Sequence, residues 1–135
     1  MTDLAQLATG LVSLARLVPD GATLAGIGWA TVDLERTIDG LAEVPLGPLT
    51  EEPVLGARAR VAGLGPIALV LLEPSTEGRV AAALARRGEG IACLYVAGDA
   101  PVTSGRPTAL GRPGRILPHD RPWGPFLILV EAAPR

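Results

Sequence analysis

The side chains best suited to chemistry in this sequence are a thiol, a phenol and an imidazole. Cys93 and Tyr95 stand two residues apart in the apolar run IACLYV, so in a strand both side chains lie on one face. A cysteine is a nucleophile as its thiolate, which needs a neighbouring base or cation, and none is adjacent in the sequence. The tyrosine hydroxyl can donate a hydrogen bond to a ligand carbonyl. The alternatives are a small buried hydrophobic residue at 93 and a core tyrosine at 95.

The imidazole belongs to the chain's one histidine, His119, in the turn-rich stretch PHDRPW. The adjacent Asp120 and Arg121 can orient this ring or tune its pKa for acid–base catalysis. The alternative is an exposed loop histidine. Cys93, Tyr95 and His119 are therefore the candidate catalytic residues.

A strand, a helix and a second strand are predicted to position the thiol and the phenol. Pro66–Leu72 is a continuous apolar run, short enough for a buried strand, and Glu73-Pro74 is expected to end it. Ser75 is a favourable N-cap for a helix over 75–87, with an apolar stripe at helical spacing. Ile91–Val96 is then the second strand.

Two further helices and four further strands are predicted outside this unit. Thr2–Leu17 has leucines at 4, 7, 11, 14 and 17, which predicts an amphipathic helix that packs on the domain or across a dimer. Thr23–Thr31 is a strand whose small residues leave room beside it. Asp33 can cap a following helix over Leu34–Leu41. Further strands are expected within Pro53–Leu64, Thr108–Leu117 and Phe126–Val130.

Composition excludes several classes of function. The 135 residues predict one domain, and a net charge of −2 with 3% aromatic residues argues against nucleic-acid or anionic-membrane partners. A single cysteine excludes an internal disulfide and is typical of a reducing compartment. The start, MTDLAQ, lacks a basic signal-peptide region, and no apolar run reaches the ~20 residues that span a bilayer. We therefore expect a cytoplasmic protein.

Three stretches resemble the vicinal oxygen chelate (glyoxalase/bleomycin-resistance/dioxygenase) superfamily, in particular the methylmalonyl-CoA epimerases. They are LLEPSTEGRVAAALARRGEGIACLYV in the middle of the chain, GIGWATVDLE at Gly26–Glu35 and LPHDRPWGPFLILVE at Leu117–Glu131. The resemblance covers roughly Thr23–Ala132. It implies an α+β fold in which two βαβββ modules form a curved mixed sheet around a cleft.

The resemblance also sets the expected domain organisation. The modules are expected at about 23–73 and 90–132, linked by helix 75–87, within a domain over 21–135. The second module is expected to lack its helix, because Asp99–Thr108 is too rich in proline and glycine. The additional N-terminal helix, within residues 1–20, is expected to cover the sheet face that this leaves bare.

The superfamily binds a divalent metal through two histidines and two Glu/Gln residues, one from each of four strands. In this sequence the corresponding positions are Gly26, Val70, Cys93 and Ile128, of which only Cys93 has a ligand atom. A lone thiol does not make a site for the metals that the superfamily uses. We therefore expect neither a metal nor another cofactor.

An apolar cavity is expected in place of the metal, and such a wall favours a hydrophobic ligand. Strand alternation places Leu72 beside Val70, Ile91 and Tyr95 beside Cys93, and Phe126 beside Ile128. Trp123 is expected to close one end of the cleft. The alternative is that the side chains pack together and fill it. The candidate binding residues are Gly26, Gly28, Val70, Leu72, Cys93, Tyr95, Trp123, Phe126 and Ile128.

The function implied is that of a metal-independent protein, expected as a homodimer, that binds and isomerises or cyclises a hydrophobic carbonyl compound. An acyl-thioester or a polyketide-type intermediate of natural product biosynthesis is the expected ligand. The alternative is a non-catalytic binding or sequestration protein of the bleomycin-resistance type. A third possibility is an assembly partner with a filled cleft.

Overall fold

The computed structural model describes residues 18–40, 44–74, 78–98, 102, 105–117 and 125–132. These residues form a mixed eight-stranded sheet and two helices, so the fold class is α+β, as the sequence predicts. The elements in chain order are β1 (Thr23–Ala30), α1 (Leu34–Asp39), β2 (Thr50–Glu52), β3 (Ala57–Leu64), β4 (Ile67–Pro74), α2 (Arg79–Arg87), β5 (Gly90–Gly98), β6 (Arg106–Pro107), β7 (Pro113–Leu117) and β8 (Phe126–Glu131). Neither described helix is long enough to cross a bilayer. The predicted N-terminal helix lies outside the described residues.

The order of strands across the sheet is β2-β3-β4-β1-β5-β8-β7-β6. β1 pairs in parallel with β4, β5 pairs in parallel with β8, and β1 and β5 meet antiparallel in the centre. The second four strands thus mirror the pairing order of the first four. Between Gly98 and Arg106 the structure describes only Val102 and Gly105, and neither is helical. The division into two βαβββ modules, with a helix missing from the second, stays a prediction.

β1 and α1 form as their local sequence predicts. The side chain of Asp33 accepts a hydrogen bond from the N–H of Arg36 at 3.1 Å and so caps the first turn of α1. The helix ends at Asp39, earlier than the expected Leu41, which lies outside the described residues. α1 contacts β4, and Leu34 is its buried residue.

β4 and α2 differ from prediction at their ends. β4 continues through Pro74, which was expected to be beyond the strand. Because β1 ends opposite Leu72, Pro74 pairs only with Ala57 of β3 and is in the position of an edge residue, where proline is tolerated. α2 begins at Arg79 after Gly78, rather than after the predicted cap at Ser75, which lies outside the described residues.

Of the two strands predicted within Pro53–Leu64 and Thr108–Leu117, the first is present as β3 and the second is shorter than predicted. The segment 53–64 holds only β3, and β2 precedes it as a three-residue strand ending at Glu52. The predicted strand Thr108–Leu117 is wrong in its first half. Residues 108–112 are instead the turn of a hairpin between β6 and β7, with the N–H of Gly111 donating to the carbonyl of Thr108 at 3.0 Å.

The apolar side chains form two clusters, one on each face of the sheet. The cluster on the concave side, called the inner cluster below, includes Ala59, Val70, Leu72, Val80, Ala83, Cys93, Tyr95, Ile128 and Val130. The outer cluster consists of Ile27, Leu94 and Leu127, with Leu24, Ile67, Ile91 and Leu117 packed against them. The expectation that Ile91 shares a face with Cys93 is wrong. The pairing shifts register between Gly28 and Trp29, which leaves Ala92 as an extra residue and reverses the alternation.

Candidate active site on the inner face of the sheet

Strand pairing brings most of the predicted binding residues into two neighbouring rows on the inner face. Gly28 stands opposite Val70 on β4 and opposite Cys93 on β5. Gly26 stands opposite Tyr95, and Tyr95 stands opposite Ile128 on β8. The predicted binding residues that the structure places on this face are Gly26, Gly28, Val70, Leu72, Cys93, Tyr95, Phe126 and Ile128. His119 and Trp123 lie outside the described residues.

The room that the glycines of β1 leave is occupied by the chain's own side chains. A Cβ atom at Gly28 would lie 2.3 Å from the Sγ of Cys93 and 2.9 Å from Leu72 Cδ1. A Cβ at Gly26 would lie 3.3 Å from Cδ2 of Tyr95 and 3.6 Å from Leu110 Cδ1. The inner face is therefore packed closely at these positions, and a ligand has to displace side chains to reach it.

A buried carboxyl group that the sequence analysis did not identify lies on the same face. Glu52 is 0% exposed. Its Oε1 accepts a hydrogen bond from the hydroxyl of Tyr95 at 2.6 Å and another from the N–H of Ala109 at 3.1 Å. Its Oε2 accepts from the N–H of Val54 at 3.2 Å. Glu52 is thus fully hydrogen-bonded, as buried polar groups in folded proteins are.

Burial controls the protonation of the three titratable groups on this face. It raises the pKa of the Glu52 carboxyl above its ordinary value, although the hydrogen bonds from Tyr95, Ala109 and Val54 act in the opposite direction. Burial likewise raises the pKa of the Tyr95 hydroxyl and of the Cys93 thiol. Cys93 is therefore held as a protonated thiol. The face combines a carboxyl group that can exchange a proton with a phenol that stays a hydrogen-bond donor.

The positions expected for metal ligands do not fit a divalent cation. Gly26, Val70 and Ile128 lie on the inner face but have no ligand atom. The remaining position, Cys93, is a protonated thiol, whereas metals bind the thiolate. Within the described part of the chain, no group of three or more His, Cys, Asp or Glu side chains is placed to hold a metal ion.

The only sequence signal for Glu52 is strand alternation. Glu51 and Glu52 are adjacent and precede Pro53, a pattern typical of an exposed turn. In β2, Glu51 is exposed and Glu52 points inward, because successive residues of a strand face opposite sides. A strand of three residues is too short to be recognised from periodicity, so the inward direction of Glu52 could not be predicted.

A depression lies on the outer side of the sheet, between α1 and strands β3 and β4, with a volume of about 440 Å³. Three charged side chains of this depression, those of Arg58, Arg60 and Glu73, already have partners. Arg58 forms an ion pair with Glu73, and the Nε of Arg60 donates to the carbonyl of Gly47 at 2.8 Å. Glu73 also accepts from the N–H of Leu34 at 2.8 Å, so it faces away from the inner cluster, as strand alternation predicts. We assign no ligand to this depression.

Comparison with known proteins identifies the architecture. No protein-family model and no curated protein sequence matches the chain. In three dimensions it is similar to a hypothetical protein from Bacillus halodurans C-125, with a TM-score of 0.69, 20% identity, and coverage of 86% of this chain and 98% of that one. It is also similar to methylmalonyl-CoA epimerase from Mycobacterium tuberculosis, with a TM-score of 0.70, 19% identity, and coverage of 82% and 88%.

A third similar structure is a variant of Streptomyces coelicolor methylmalonyl-CoA epimerase in complex with 2-nitronate-propionyl-CoA. Its TM-score is 0.69 and its identity 20%, with coverage of 82% of this chain and 97% of that one. At these identities the likeness establishes the fold and leaves the chemistry to be argued from the site itself.

Proposed function

Because the chain has the fold of the vicinal oxygen chelate superfamily, we propose that it is a metal-independent isomerase of hydrophobic carbonyl compounds. The substrate class is an acyl-thioester or a polyketide-type intermediate. The observation that carries this proposal is the buried Glu52 carboxyl, 2.6 Å from the hydroxyl of Tyr95 on the inner face. The acyl-CoA bound to the Streptomyces epimerase supports the choice of a thioester.

The proposed reaction is a proton transfer at the carbon next to the carbonyl group. The ionised Glu52 takes the proton from this carbon, and the electron pair of the broken C–H bond moves onto the carbonyl oxygen. The Tyr95 hydroxyl donates a hydrogen bond to that oxygen, in place of the metal of the superfamily. Return of a proton to the opposite face of this carbon gives the epimer, whereas return to the same face in D2O gives exchange of deuterium alone, and neither outcome involves a redox change. Burial makes Glu52 a stronger base than an exposed glutamate.

Access to the site requires movement of the turn between β6 and β7. Glu52 and Tyr95 are both 0% exposed, and this turn contributes the Ala109 N–H that binds Glu52. Leu110 of the same turn packs against the inner cluster near Gly26. We propose that the ligand displaces Leu110 and lies along β1 and β5. Cys93 packs against it as a protonated thiol, while a role for His119 or Trp123 stays a prediction.

The test is exchange of deuterium into a thioester. The full chain is incubated in D2O with methylmalonyl-CoA, and separately with a longer 2-methylacyl-CoA, in the presence of EDTA, and deuterium at C2 is measured by mass spectrometry. We expect exchange that EDTA leaves unchanged, that falls by about 10²–10⁴-fold in Glu52→Gln, and that falls less in Tyr95→Phe. The matched control is Glu51→Gln, the exposed neighbour, which should exchange like the unaltered chain. Exchange that EDTA abolishes would overturn the metal independence.

Binding without turnover is the second candidate function. It is supported by the apolar character of the inner wall, which includes Val70, Leu72 and Ile128. The same ligands, followed by calorimetry, separate the two functions. Saturable binding with no exchange of deuterium supports sequestration, and neither binding nor exchange supports an assembly partner with a filled cleft. The homodimer and the cytoplasmic location stay predictions from the sequence.

A further inference from the structure

The outer cluster is more deeply buried than a sheet face can make it. Leu94 is 0% exposed, Ile27 is 8% exposed and Leu127 is 9% exposed. Every described residue of this cluster lies on a strand of the same sheet and on the same face of it. Side chains on one face project in the same direction, and on a convex face they diverge, so they cannot enclose one another. A further layer must therefore lie over Ile27, Leu94 and Leu127.

The two described helices do not provide this layer. α1 contacts β4, beside the depression described above. α2 contacts β1, β4 and β5, but its buried residues Val80 and Ala83 belong to the inner cluster. The layer over the outer cluster is therefore neither of these helices.

We propose that residues 2–17 form an amphipathic helix that docks its leucine side on the outer cluster. The leucines at 4, 7, 11 and 14 recur at the spacing of one helix face, and Thr9 and Ser13 lie on the opposite face. The leucine side of the segment provides an apolar layer that can cover the outer cluster. Because Leu94 and its neighbours lie on the central strands, docking there covers the middle of the sheet.

The place where the segment joins the described chain fits this docking. Residues 2–17 connect through the half-buried Val18 to β1, which begins at Thr23 opposite Ala97 of β5. The segment therefore enters at one end of the two central strands, which carry Ile27 and Leu94. A 16-residue helix is about 24 Å long. Strands of eight or nine residues, such as β1 and β5, extend about 26–30 Å. One such helix matches the length of the face.

The experiment measures how fast a thiol reagent reaches the outer cluster. The reporter is Leu127→Cys in the full chain, since the natural Cys93 is 0% exposed and adds little background. Labelling is compared with and without the pair Leu7→Glu and Leu11→Glu, which places charge on the leucine side. The matched control is the pair Thr9→Glu and Ser13→Glu, with the same charges at the same spacing on the opposite side. We expect labelling to rise at least about tenfold in the first pair and less than about twofold in the control.

Two results would overturn the docking. In one, the leucine-side charges leave the labelling rate unchanged. In the other, the labelling rate falls as protein concentration rises and is the same in the segment variants. That result would identify a second copy of the chain as the cover. If the Leu7→Glu, Leu11→Glu chain does not fold by circular dichroism, single cysteines replace Leu11 or Thr9 in the otherwise unaltered chain. The Leu11→Cys chain should label at least about tenfold more slowly than the Thr9→Cys chain, and equal rates would refute the proposal.

Discussion

Glu52 is held by donors from three separate parts of the chain. Tyr95 lies on a central strand, Ala109 in a distant turn and Val54 two residues along from Glu52 itself. These hydrogen bonds favour the carboxylate, whereas burial favours the neutral acid, and burial is the larger effect on its pKa. The same hydroxyl that satisfies Glu52 is the one proposed to donate to a substrate oxygen. When the Tyr95 hydroxyl turns from Glu52 to the substrate oxygen, Glu52 loses a hydrogen bond that lowers its pKa. The carboxylate is then a stronger base at the moment when it takes the proton.

Gly28 is required because Cys93 lies directly over it. Gly28→Ala would place a Cβ 2.3 Å from the Sγ of Cys93, a distance that real Cβ atoms essentially never show, so the Cys93 side chain or the backbone that carries it must shift. We expect a loss of about 1–3 kcal/mol in the free energy of unfolding, measured by urea denaturation.

The double variant Gly28→Ala with Cys93→Ala identifies the cause. Because alanine at 93 removes the sulfur, adding Gly28→Ala to Cys93→Ala should cost less than adding it to the unaltered chain. Equal costs in the two backgrounds would show that Leu72 Cδ1, at 2.9 Å, or the backbone is the obstacle instead. Gly63→Ala on β3, where a Cβ meets nothing within 4 Å, is the matched control.

At the level of elements, the turn between β6 and β7 is the part proposed to open for the ligand. Ala109→Pro tests this, because proline suits the second position of a four-residue turn and removes the N–H that donates to Glu52. We expect faster association of methylmalonyl-CoA in stopped-flow measurements, by about threefold to tenfold, since one hydrogen bond contributes roughly 0.5–1.5 kcal/mol. Leu110→Ala should act in the same direction by removing the side chain that packs near Gly26. Unchanged association in both variants would contradict opening at this turn.

The elements that are predicted correctly are those whose formation depends mainly on local sequence. Asp33 caps α1, and the apolar runs at Ile67–Pro74 and Gly90–Gly98 form strands because their side chains are buried by partners on both sides. The errors arise where tertiary pairing decides. The extra residue Ala92 reverses the alternation of side chains before Cys93. No residue type in this stretch indicates that the strand contains a bulge. β2 and β6, of three and two residues, are stabilised by pairing with β3 and β7 and have no signal of their own.

At the level of the whole molecule, the sheet curves so that a hydrogen bond joins its two edges. β2 is one edge and β6 is the other, yet Glu52 of β2 binds the N–H of Ala109, which follows β6. The two residues are 57 positions apart. The sequence could place Gly28, Val70, Cys93 and Tyr95 on one face through strand alternation alone. It could not place Glu52 there, because that contact exists only once eight strands have paired in this order.

The shifted pKa values of three carboxyl groups, those of Glu52, Glu73 and Glu89, predict how stability depends on pH. Hydrogen bonds from Thr31 and the N–H of Val32 lower the pKa of Glu89, and the N–H of Leu34 with Arg58 lowers that of Glu73. Both groups stabilise the fold above the ordinary carboxyl pKa of 4.5, and this contribution is lost as pH falls through their folded pKa values. Glu52 acts in the opposite sense. Its folded pKa is raised, so the folded state holds its proton longer, and stability falls as pH rises from 4.5 through the folded pKa.

Glu52→Gln isolates the second effect, because glutamine does not titrate. Its amide nitrogen opposes the N–H of Val54 or of Ala109, which costs about 1–3 kcal/mol, and that cost is the same at every pH. The melting temperature of the unaltered chain should therefore exceed that of Glu52→Gln most at about pH 4.5–5, and the difference should shrink toward pH 8. Glu51→Gln, at the exposed neighbour, should leave the pH profile unchanged. A difference between the Glu52→Gln and unaltered chains that stays constant from pH 5 to 8 would mean that Glu52 is ionised throughout, and the folded protein would then hold a buried charge where the two edges of the sheet meet.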